Sequence, residues 1–227
     1  MRSFWQAVII ALILIVALLY VADLVAFSGV REAQVRELAP AEIREYEGED
    51  LSSITAFREN SIKGPQYIDT ATYTLSVSGL VNESREYNYT TILGTFPHYS
   101  KVVTLHCVEG WDVTILWEGV LVRDLLDASG VTPAARTVIF TAYDGYTTSF
   151  PVDYFYENEI IMAYSMNGAT LPPERGYPFQ LVAEDKWGYK WIKWITKIEL
   201  SDDDTYQGYW ERRGFSESGD LDRSFFN

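Results

Sequence analysis

The stretch Leu105-His106-Cys107-Val108-Glu109-Gly110-Trp111 contains the only cysteine among the 227 residues of this chain. Cys107 follows the predicted strand Val102–Leu105 and precedes a turn that contains Gly110. One cysteine cannot form an internal disulfide, and it supplies too few ligands for a structural zinc site. Three interpretations of Cys107 remain: a buried core residue, a catalytic nucleophile, or a single thiolate ligand to a metal that a cofactor carries.

The acidic composition restricts the partners that this chain can bind. Its formal net charge is -14. Nucleic acid is excluded as a partner, because its binding needs clustered Lys and Arg side chains. The negative electrostatic potential of such a chain also disfavours long-range attraction of an anionic substrate. An anion would therefore need local cations at its binding site.

The amino-terminal region carries an uncharged apolar run, Ser3–Ala22. A helix of this length covers roughly 30 Å, the hydrocarbon thickness of a bilayer. Trp5 and Tyr20 lie near its two ends, where aromatic rings favour the membrane interface. We therefore expect a single-pass membrane anchor. A cleaved signal peptide is the alternative, since Ala26 and Ser28 offer a small-residue cleavage pattern.

The domain organisation follows from this run and from the charged stretch behind it, whose Glu and Arg residues recur at helical spacing. We predict residues 1–27 as the anchor or signal peptide, residues 28–54 as a charged stalk or surface helix, and residues 55–227 as one globular domain. Basic residues after the span favour a cytoplasmic domain. The sequons at Asn82 and Asn88 favour the opposite side.

Strand patterns dominate the globular part, which predicts a β-rich α+β fold. Tyr73–Leu80 alternates apolar and polar residues at a period of two. The other predicted strands are Val102–Leu105, Val113–Trp117, Val138–Ala142, Phe179–Ala183 and Trp191–Leu200. Short helices are expected at Val120–Ala128, which Gly130 would end, and at Val152–Phe155.

Common catalytic signatures are missing from the sequence. It contains no GxGxxG after a strand, no P-loop, no HExxH and no GxSxG elbow. A thiol-dependent hydrolase built on Cys107 and His98 is formally possible, and it would need an exposed thiol with a depressed pKa.

A series of short motifs occurs in one order along the chain. It consists of Leu105–Trp111, Asp144-Gly145-Tyr146, Asn167-Gly168, Gly176-Tyr177-Pro178, Trp187–Ile195, Gly208-Tyr209-Trp210 and Gly214-Phe215. The series resembles the molybdopterin-binding domain of the sulfite oxidase family, over about residues 55–215. That family includes sulfite oxidases, plant nitrate reductases and a bacterial catalytic subunit that reduces methionine sulfoxide in proteins.

The resemblance implies a mixed-sheet domain that binds a molybdenum-molybdopterin cofactor, with Cys107 as the one protein thiolate on the metal. A soft thiolate suits a metal in a sulfur-rich sphere, and the redox chemistry belongs to the cofactor. The alternative for Cys107 is a buried apolar residue, a common fate of free cysteine.

The resemblance also implies further site residues. The expected pterin contacts are Asn60, Ser61, His106, Asp144, Asn167, Gly188, Tyr189, Lys190 and Lys193. Gly188 would let the backbone approach the pterin phosphate, and the Lys190 ammonium would supply charge. Lys193 could instead snorkel at a solvated edge. Arg58 and Arg175 are the candidate substrate-binding residues.

Two departures from the family pattern bear on the substrate and the partner. Gln180 stands where many members have arginine, and no basic residue lies in Cys107–Trp117, which disfavours sulfite. Haem and flavin domains are missing, so the resemblance implies a separate electron-transfer partner, such as a cytochrome or a quinone-linked membrane subunit. It also favours an extracytoplasmic domain. The rival hypothesis is a cofactor-free binding or assembly module of a membrane complex.

Overall fold

The computed structural model describes residues 41–56 and 58–226. They belong to one compact unit that begins at Ala41. Within these ranges no helix is long and apolar enough to cross a membrane. The predicted anchor at residues 1–27 lies outside the described residues.

Strands make up most of the regular structure in the described part. They are β1 (Glu45–Tyr46), β2 (Glu49–Asp50), β3 (Thr74–Gly79), β4 (Arg85–Asn88), β5 (Tyr99–His106), β6 (Asp112–Leu121), β7 (Thr137–Ala142), β8 (Thr147–Pro151), β9 (Ile161–Met166), β10 (Ala169–Thr170), β11 (Gln180–Val182) and β12 (Ile195–Ser201). The α-helices are α1 (Tyr89–Thr95), α2 (Val122–Ser129) and α3 (Asp153–Glu157). Single 3-10 turns cover Pro173–Arg175, Gly188–Lys190 and Glu211–Arg213.

The strands form two five-stranded sheets and one small hairpin. One sheet has the order β10-β9-β6-β5, with β11 also paired to β9, and its pairs are antiparallel. The other has the order β4-β3-β12-β7-β8, in which β12 pairs parallel with β3 and antiparallel with β7. The β-rich, mixed-sheet α+β prediction is therefore confirmed for the described domain.

Most predicted strands appear where the sequence pattern placed them, in β3, β5, β6, β7 and β11. The prediction for Trp191–Leu200 is wrong over its first four residues, because β12 begins only at Ile195. A 3-10 turn precedes this segment, and Trp194 has a positive φ of 53° that interrupts an extended strand. The predicted helix at Val120 begins two residues late, since β6 continues to Leu121.

The predicted helical stalk is wrong over residues 45–50, which form the β1–β2 hairpin. Gly48 has a φ of 87° there, a conformation that suits a tight turn and not a helix. Beyond the hairpin, Leu51 and Ile54 are buried at 3% and 0% exposure. The residues next to the predicted boundary therefore pack into the domain.

Two predicted turns shape the edges of the sheets. Gly145 has a φ of 89°, and the backbone N–H of Tyr146 donates to Asp144 Oδ1 at 2.9 Å between β7 and β8. Asn167 and Gly168 both have positive φ, 48° and 75°, between β9 and β10. Positive φ at both central residues is the requirement of a two-residue hairpin turn that matches the strand twist.

Candidate functional site

Cys107 lies at the start of the five-residue loop that joins β5 to β6. Its N–H donates to the carbonyl of Trp111 at 2.9 Å, and its carbonyl accepts from the N–H of Gly110 at 3.0 Å. Gly110 has a φ of 81°, which glycine adopts without steric cost. The loop therefore fixes where the Cys107 side chain leaves the end of β5.

A cavity of about 410 Å³ opens beside this loop. Its lining comes from the loop, from the segment around Asn60, from the β7–β8 turn, and from the carboxyl-terminal half of the chain. The lining residues are Arg58, Glu59, Asn60, Ser61, Ile62, Leu105, Cys107, Val108, Glu109, Trp111, Asp144, Tyr146, Glu174, Arg175, Gln180, Gly188, Tyr189, Trp191, Ile192, Lys193, Trp194, Trp210 and Phe215.

The Cys107 thiol is buried at the cavity wall, with 8% of the residue exposed. Asn60 Nδ2 lies 3.8 Å from its Sγ and donates to it. Burial raises the pKa of the thiol, the nearby carboxylate of Glu109 adds to this, and the Glu109 N–H and Asn60 oppose it. A raised pKa is the opposite of what a thiol-dependent hydrolase needs.

Several polar atoms on the cavity lining have no hydrogen-bond partner within the described chain. They are the Oγ of Ser61, the Oδ2 of Asp144 and the Oε2 of Glu174, and each is buried. Burying such atoms unpaired costs about 1–3 kcal/mol each. A bound polar ligand with donors and acceptors would satisfy them.

Two of the predicted cationic residues lie on the cavity wall in hydrogen-bonded positions. The Arg175 guanidinium is buried and donates to the carbonyl of Ile54 at 3.3 and 3.4 Å. Burial lowers its pKa to about 10, while Glu174 and Glu59 oppose the shift. Lys193 Nζ donates to Glu59 Oε1 at 2.9 Å and to the carbonyl of Glu174 at 3.3 Å.

Gly188 brings backbone close to the cysteine loop. A Cβ at this position would lie 3.2 Å from the carbonyl oxygen of His106 and 3.3 Å from Leu105 Cδ2. A parallel bridge between His106 and Trp187 holds the two segments together. A side chain at this position would press on the cysteine loop, which favours glycine. The neighbouring Tyr189 lines the cavity, and its hydroxyl donates to the carbonyl of Ser216 at 2.7 Å.

Lys190 occupies a different place from the one predicted. Its ammonium is fully buried and donates to the carbonyl of Ser149 at 2.7 Å, to Glu211 Oε1 at 2.7 Å and to the carbonyl of Glu217 at 2.9 Å. These three bonds use all three N–H groups of the ammonium. The predicted phosphate contact is therefore corrected: this ammonium joins the carboxyl-terminal segment to β8.

Asn167 and His106 also lie outside the cavity lining. The Asn167 side chain accepts from the N–H of Leu116 at 3.0 Å and donates to the carbonyl of Ser52 at 2.8 Å. His106 Nδ1 lies 2.8 Å from Asp112 Oδ1. Because side chains alternate along a strand, His106 faces away from the cavity that Leu105 and Cys107 line. The structure thus gives both residues structural contacts in place of the predicted cofactor contacts.

Sequence reasoning missed three glutamates of the cavity and most of its aromatic wall. Glu59, Glu109 and Glu174 line it beside the predicted cations, and five large aromatic residues were named only as parts of motifs, namely Trp111, Trp191, Trp194, Tyr146 and Phe215. The place of Glu109 on the cavity could have been predicted, since this residue stands two positions after the cysteine. The place of Glu174 could not, because only folding brings it there.

Comparison with known proteins decides the family. The family model described as the oxidoreductase molybdopterin binding domain matches residues 62–210. This chain belongs to that family. The oxidoreductase YuiH of Bacillus subtilis (strain 168), described as uncharacterized, is 34% identical over 157 residues, which cover 69% of this chain and 78% of that protein.

Other relatives of this molybdopterin-binding oxidoreductase carry more specific names. The putative protein-methionine-sulfoxide reductase subunit YedZ1 of Azospira oryzae is 32% identical over 66% of this chain and 56% of its own length. The protein-methionine-sulfoxide reductase catalytic subunit MsrP of Campylobacter jejuni is 27% identical over 71% of this chain and 60% of its own. The chain therefore spans little more than half the length of these two relatives.

A solved structure supports the fold of the molybdopterin-binding domain. The sulfane dehydrogenase SoxCD from Paracoccus pantotrophus superposes with a TM-score of 0.60 at 22% sequence identity, covering 67% of this chain and 43% of that one. At this identity the likeness concerns the fold alone.

The cavity fits the cofactor that the family name implies. It presents one thiol in Cys107, unpaired buried oxygens on Ser61 and Asp144, and a close backbone approach at Gly188. Arg175 and Lys193 supply positive charge on the same wall. These are the groups that a pterin with a phosphate and a metal would require.

Proposed function

We propose that this chain is the cofactor-bearing catalytic protein of an oxidoreductase that transfers an oxygen atom to or from a small sulfur or nitrogen compound. The single observation that carries the proposal is the position of Cys107. Its Sγ lies on the wall of a large cavity, beside the amide of Asn60, in a domain of the molybdopterin-binding family.

The molybdenum-molybdopterin cofactor would supply, when bound, the redox centre at which oxygen and two electrons are exchanged. Cys107 would bind the metal through its thiolate, and the Asn60 amide would orient that thiolate. Ser61 and Asp144 would hydrogen bond to the pterin through their unpaired oxygens, and Gly188 would admit it close to the backbone.

The cations Arg175 and Lys193 would compensate the charge of the pterin phosphate. Both already face carboxylates of the cavity, and Lys193 is hydrogen-bonded to Glu59. A phosphate would compete with these carboxylates for the N–H donors of Arg175 and Lys193. Hydrogen bonds between a charged donor and a phosphate are strong, which favours this exchange. Arg58 is exposed and lines the same cavity, so it is the cation best placed to meet an entering substrate.

An S-oxide is the substrate that the relatives favour. Two of them are named for protein-methionine-sulfoxide reductase, and the aromatic wall of the cavity suits an uncharged organic molecule. Reduction of an S-oxide consumes two electrons and two protons, and it yields the sulfide and one water. Oxidation in the opposite direction takes its oxygen from water and releases the same electrons and protons.

The electrons require a separate partner, which we propose to be a cytochrome or a quinone-linked membrane subunit. The names of two relatives describe subunits, which supports a multi-protein system. The apolar run Ser3–Ala22 would keep the catalytic domain next to such a carrier. The side of the membrane that the resemblance favours, the extracytoplasmic one, is part of the same proposal.

Turnover tests this function directly. Protein from a host that makes the pterin cofactor is assayed with dimethyl sulfoxide, methionine sulfoxide and trimethylamine N-oxide, using reduced viologen as the electron donor. Sulfite oxidation is followed with ferricyanide as the acceptor. We expect reduction of at least one oxide, and its loss in Cys107→Ser. Equal turnover in that variant would contradict the assignment, and no turnover by a fully loaded wild-type protein would contradict the proposed substrate classes.

A further inference from the structure

The Cys107–Trp111 loop places a carboxylate at the opening of the cavity. Glu109 lines the cavity and is exposed, so its side chain lies at the mouth and not in the interior. Glu109 stands two residues after Cys107 in the same loop between β5 and β6. The residue that carries the charge therefore shares a short loop with the residue that would bind the metal.

A neighbouring side chain holds this carboxylate in place. Trp111 Nε1 donates to Glu109 Oε2 at 3.1 Å. This hydrogen bond restricts the rotamers of an exposed glutamate, which would otherwise sample many of them. It therefore keeps the negative charge on the Cys107–Trp111 loop.

The other charges of the cavity do not cancel the one on Glu109. Lys193 is paired with Glu59 at 2.9 Å, and the buried Arg175 interacts electrostatically with both Glu174 and Glu59. The residues that line the cavity carry four carboxylates, on Glu59, Glu109, Asp144 and Glu174, against three cations, on Arg58, Arg175 and Lys193. An entering molecule therefore meets a net negative charge on the cavity wall.

We propose that Glu109 is a specificity-determining residue that excludes oxyanions such as sulfite from the Cys107 end of the cavity and admits uncharged S-oxides and N-oxides. The inference deepens the proposed function and rests on it for the identity of the substrates. Like charges at short range repel, and a net charge of -14 adds to the barrier for an anion at long range. An uncharged oxide meets neither the short-range repulsion nor the long-range barrier.

The test replaces one charge at a time within the same hairpin. Glu109→Gln removes the charge and keeps an oxygen that can accept from Trp111. Asp112→Asn is the matched control, because Asp112 lies three residues further on, pairs with His106 and does not line the cavity. Sulfate serves as the non-reacting oxyanion in titration calorimetry, and dimethyl sulfoxide serves as the uncharged substrate in turnover.

We expect Glu109→Gln to tighten sulfate binding on the order of fivefold at low salt, with the gain shrinking at high ionic strength. KM for dimethyl sulfoxide should change by a smaller factor than the sulfate affinity does, and Asp112→Asn should match the wild type in both assays. Sulfate affinity that is equal in Glu109→Gln and wild type, or too weak to measure in both, would overturn the inference. So would a gain of the same size in Asp112→Asn.

The sulfate titration separates this inference from the proposed function. If the purified wild-type protein holds no cofactor and reduces no oxide, the proposed function fails. The sulfate affinities of the folded Glu109→Gln and Asp112→Asn variants can still be compared, because calorimetry needs no turnover. If turnover is found and the affinities are equal, the proposed function stands and the role of Glu109 is refuted.

Discussion

The Asn60 amide nitrogen lies 3.8 Å from Cys107 Sγ, although 47 residues separate the two in sequence. The segment around Asn60 therefore folds onto the β5–β6 loop and closes one side of the cavity. Its amide donates to the thiol of the predicted metal ligand. This contact holds the Asn60 segment against the cysteine loop.

Gly188→Ala should displace the cysteine loop. The added Cβ would meet His106 O at 3.2 Å and Cys107 Cα at 3.5 Å, so backbone must shift by a few tenths of an ångström. Overpacking of this kind costs about 1–3 kcal/mol. We expect a severalfold lower cofactor content per folded protein, measured by metal analysis.

The control for that variant is Gly94→Ala in α1. A Cβ at Gly94 would meet nothing within 4 Å, and alanine favours a helix. We expect unchanged cofactor content and stability equal to the wild type or higher by up to about 1 kcal/mol. Equal cofactor content in the two variants would refute the steric role of Gly188.

Lys190→Met should destabilise the fold through Glu211. The variant leaves that carboxylate buried without its cation, since the two side chains are 0% and 1% exposed and 2.7 Å apart. Removing one partner of a buried pair costs about 3–5 kcal/mol. The measurement is the free energy of unfolding in urea.

Two further variants isolate the buried pair. Lys197→Met breaks an exposed pair with Glu199, so it should cost less than about 1 kcal/mol. The double variant Lys190→Met/Glu211→Gln should recover part of the loss, because the orphaned charge is gone. A cost in Lys190→Met no larger than that in Lys197→Met would contradict the structural role.

Asn167→Ala tests whether Asn167 serves the fold or the cofactor. The variant loses hydrogen bonds to Leu116 and Ser52 and places alanine at a φ of 48°. We expect a loss of about 2–4 kcal/mol in unfolding free energy, with unchanged cofactor content per folded protein. Asn167→Gly tolerates the positive φ and should lose less.

Asn158→Ala is the comparison, because it removes one bond to Tyr154 at the end of α3. Its cost should be about 1 kcal/mol. A drop in cofactor content at unchanged stability in Asn167→Ala would restore the predicted cofactor role of that residue.

The sequence predicted elements whose cause is local. Period-two alternation gave β3 and a short apolar run gave β5, and Gly130 ends α2 in a left-handed conformation, as glycine after a helix does. The turn at Asn167 and Gly168 follows from residue types that tolerate positive φ. In these places one short window contains the whole physical reason.

Contacts between distant segments could not be predicted in this way. The partner of Lys190 is Glu211, 21 residues away, and no sequence pattern marks that glutamate as buried. A lysine in a motif was therefore interpreted as free to meet a phosphate. Glu174 reaches the cavity through similar long-range packing, which neither periodicity nor composition encodes.

The central claim is that Cys107 holds a molybdenum cofactor in this cavity. The most direct test is the molybdenum and pterin content of wild type and Cys107→Ser, purified from a host that makes the cofactor, by mass spectrometry and fluorescence. We predict about one molybdenum per chain in the wild type and a large loss of metal in the variant, with both proteins folded. A folded wild-type protein with neither molybdenum nor pterin would contradict the claim and favour a cofactor-free binding module.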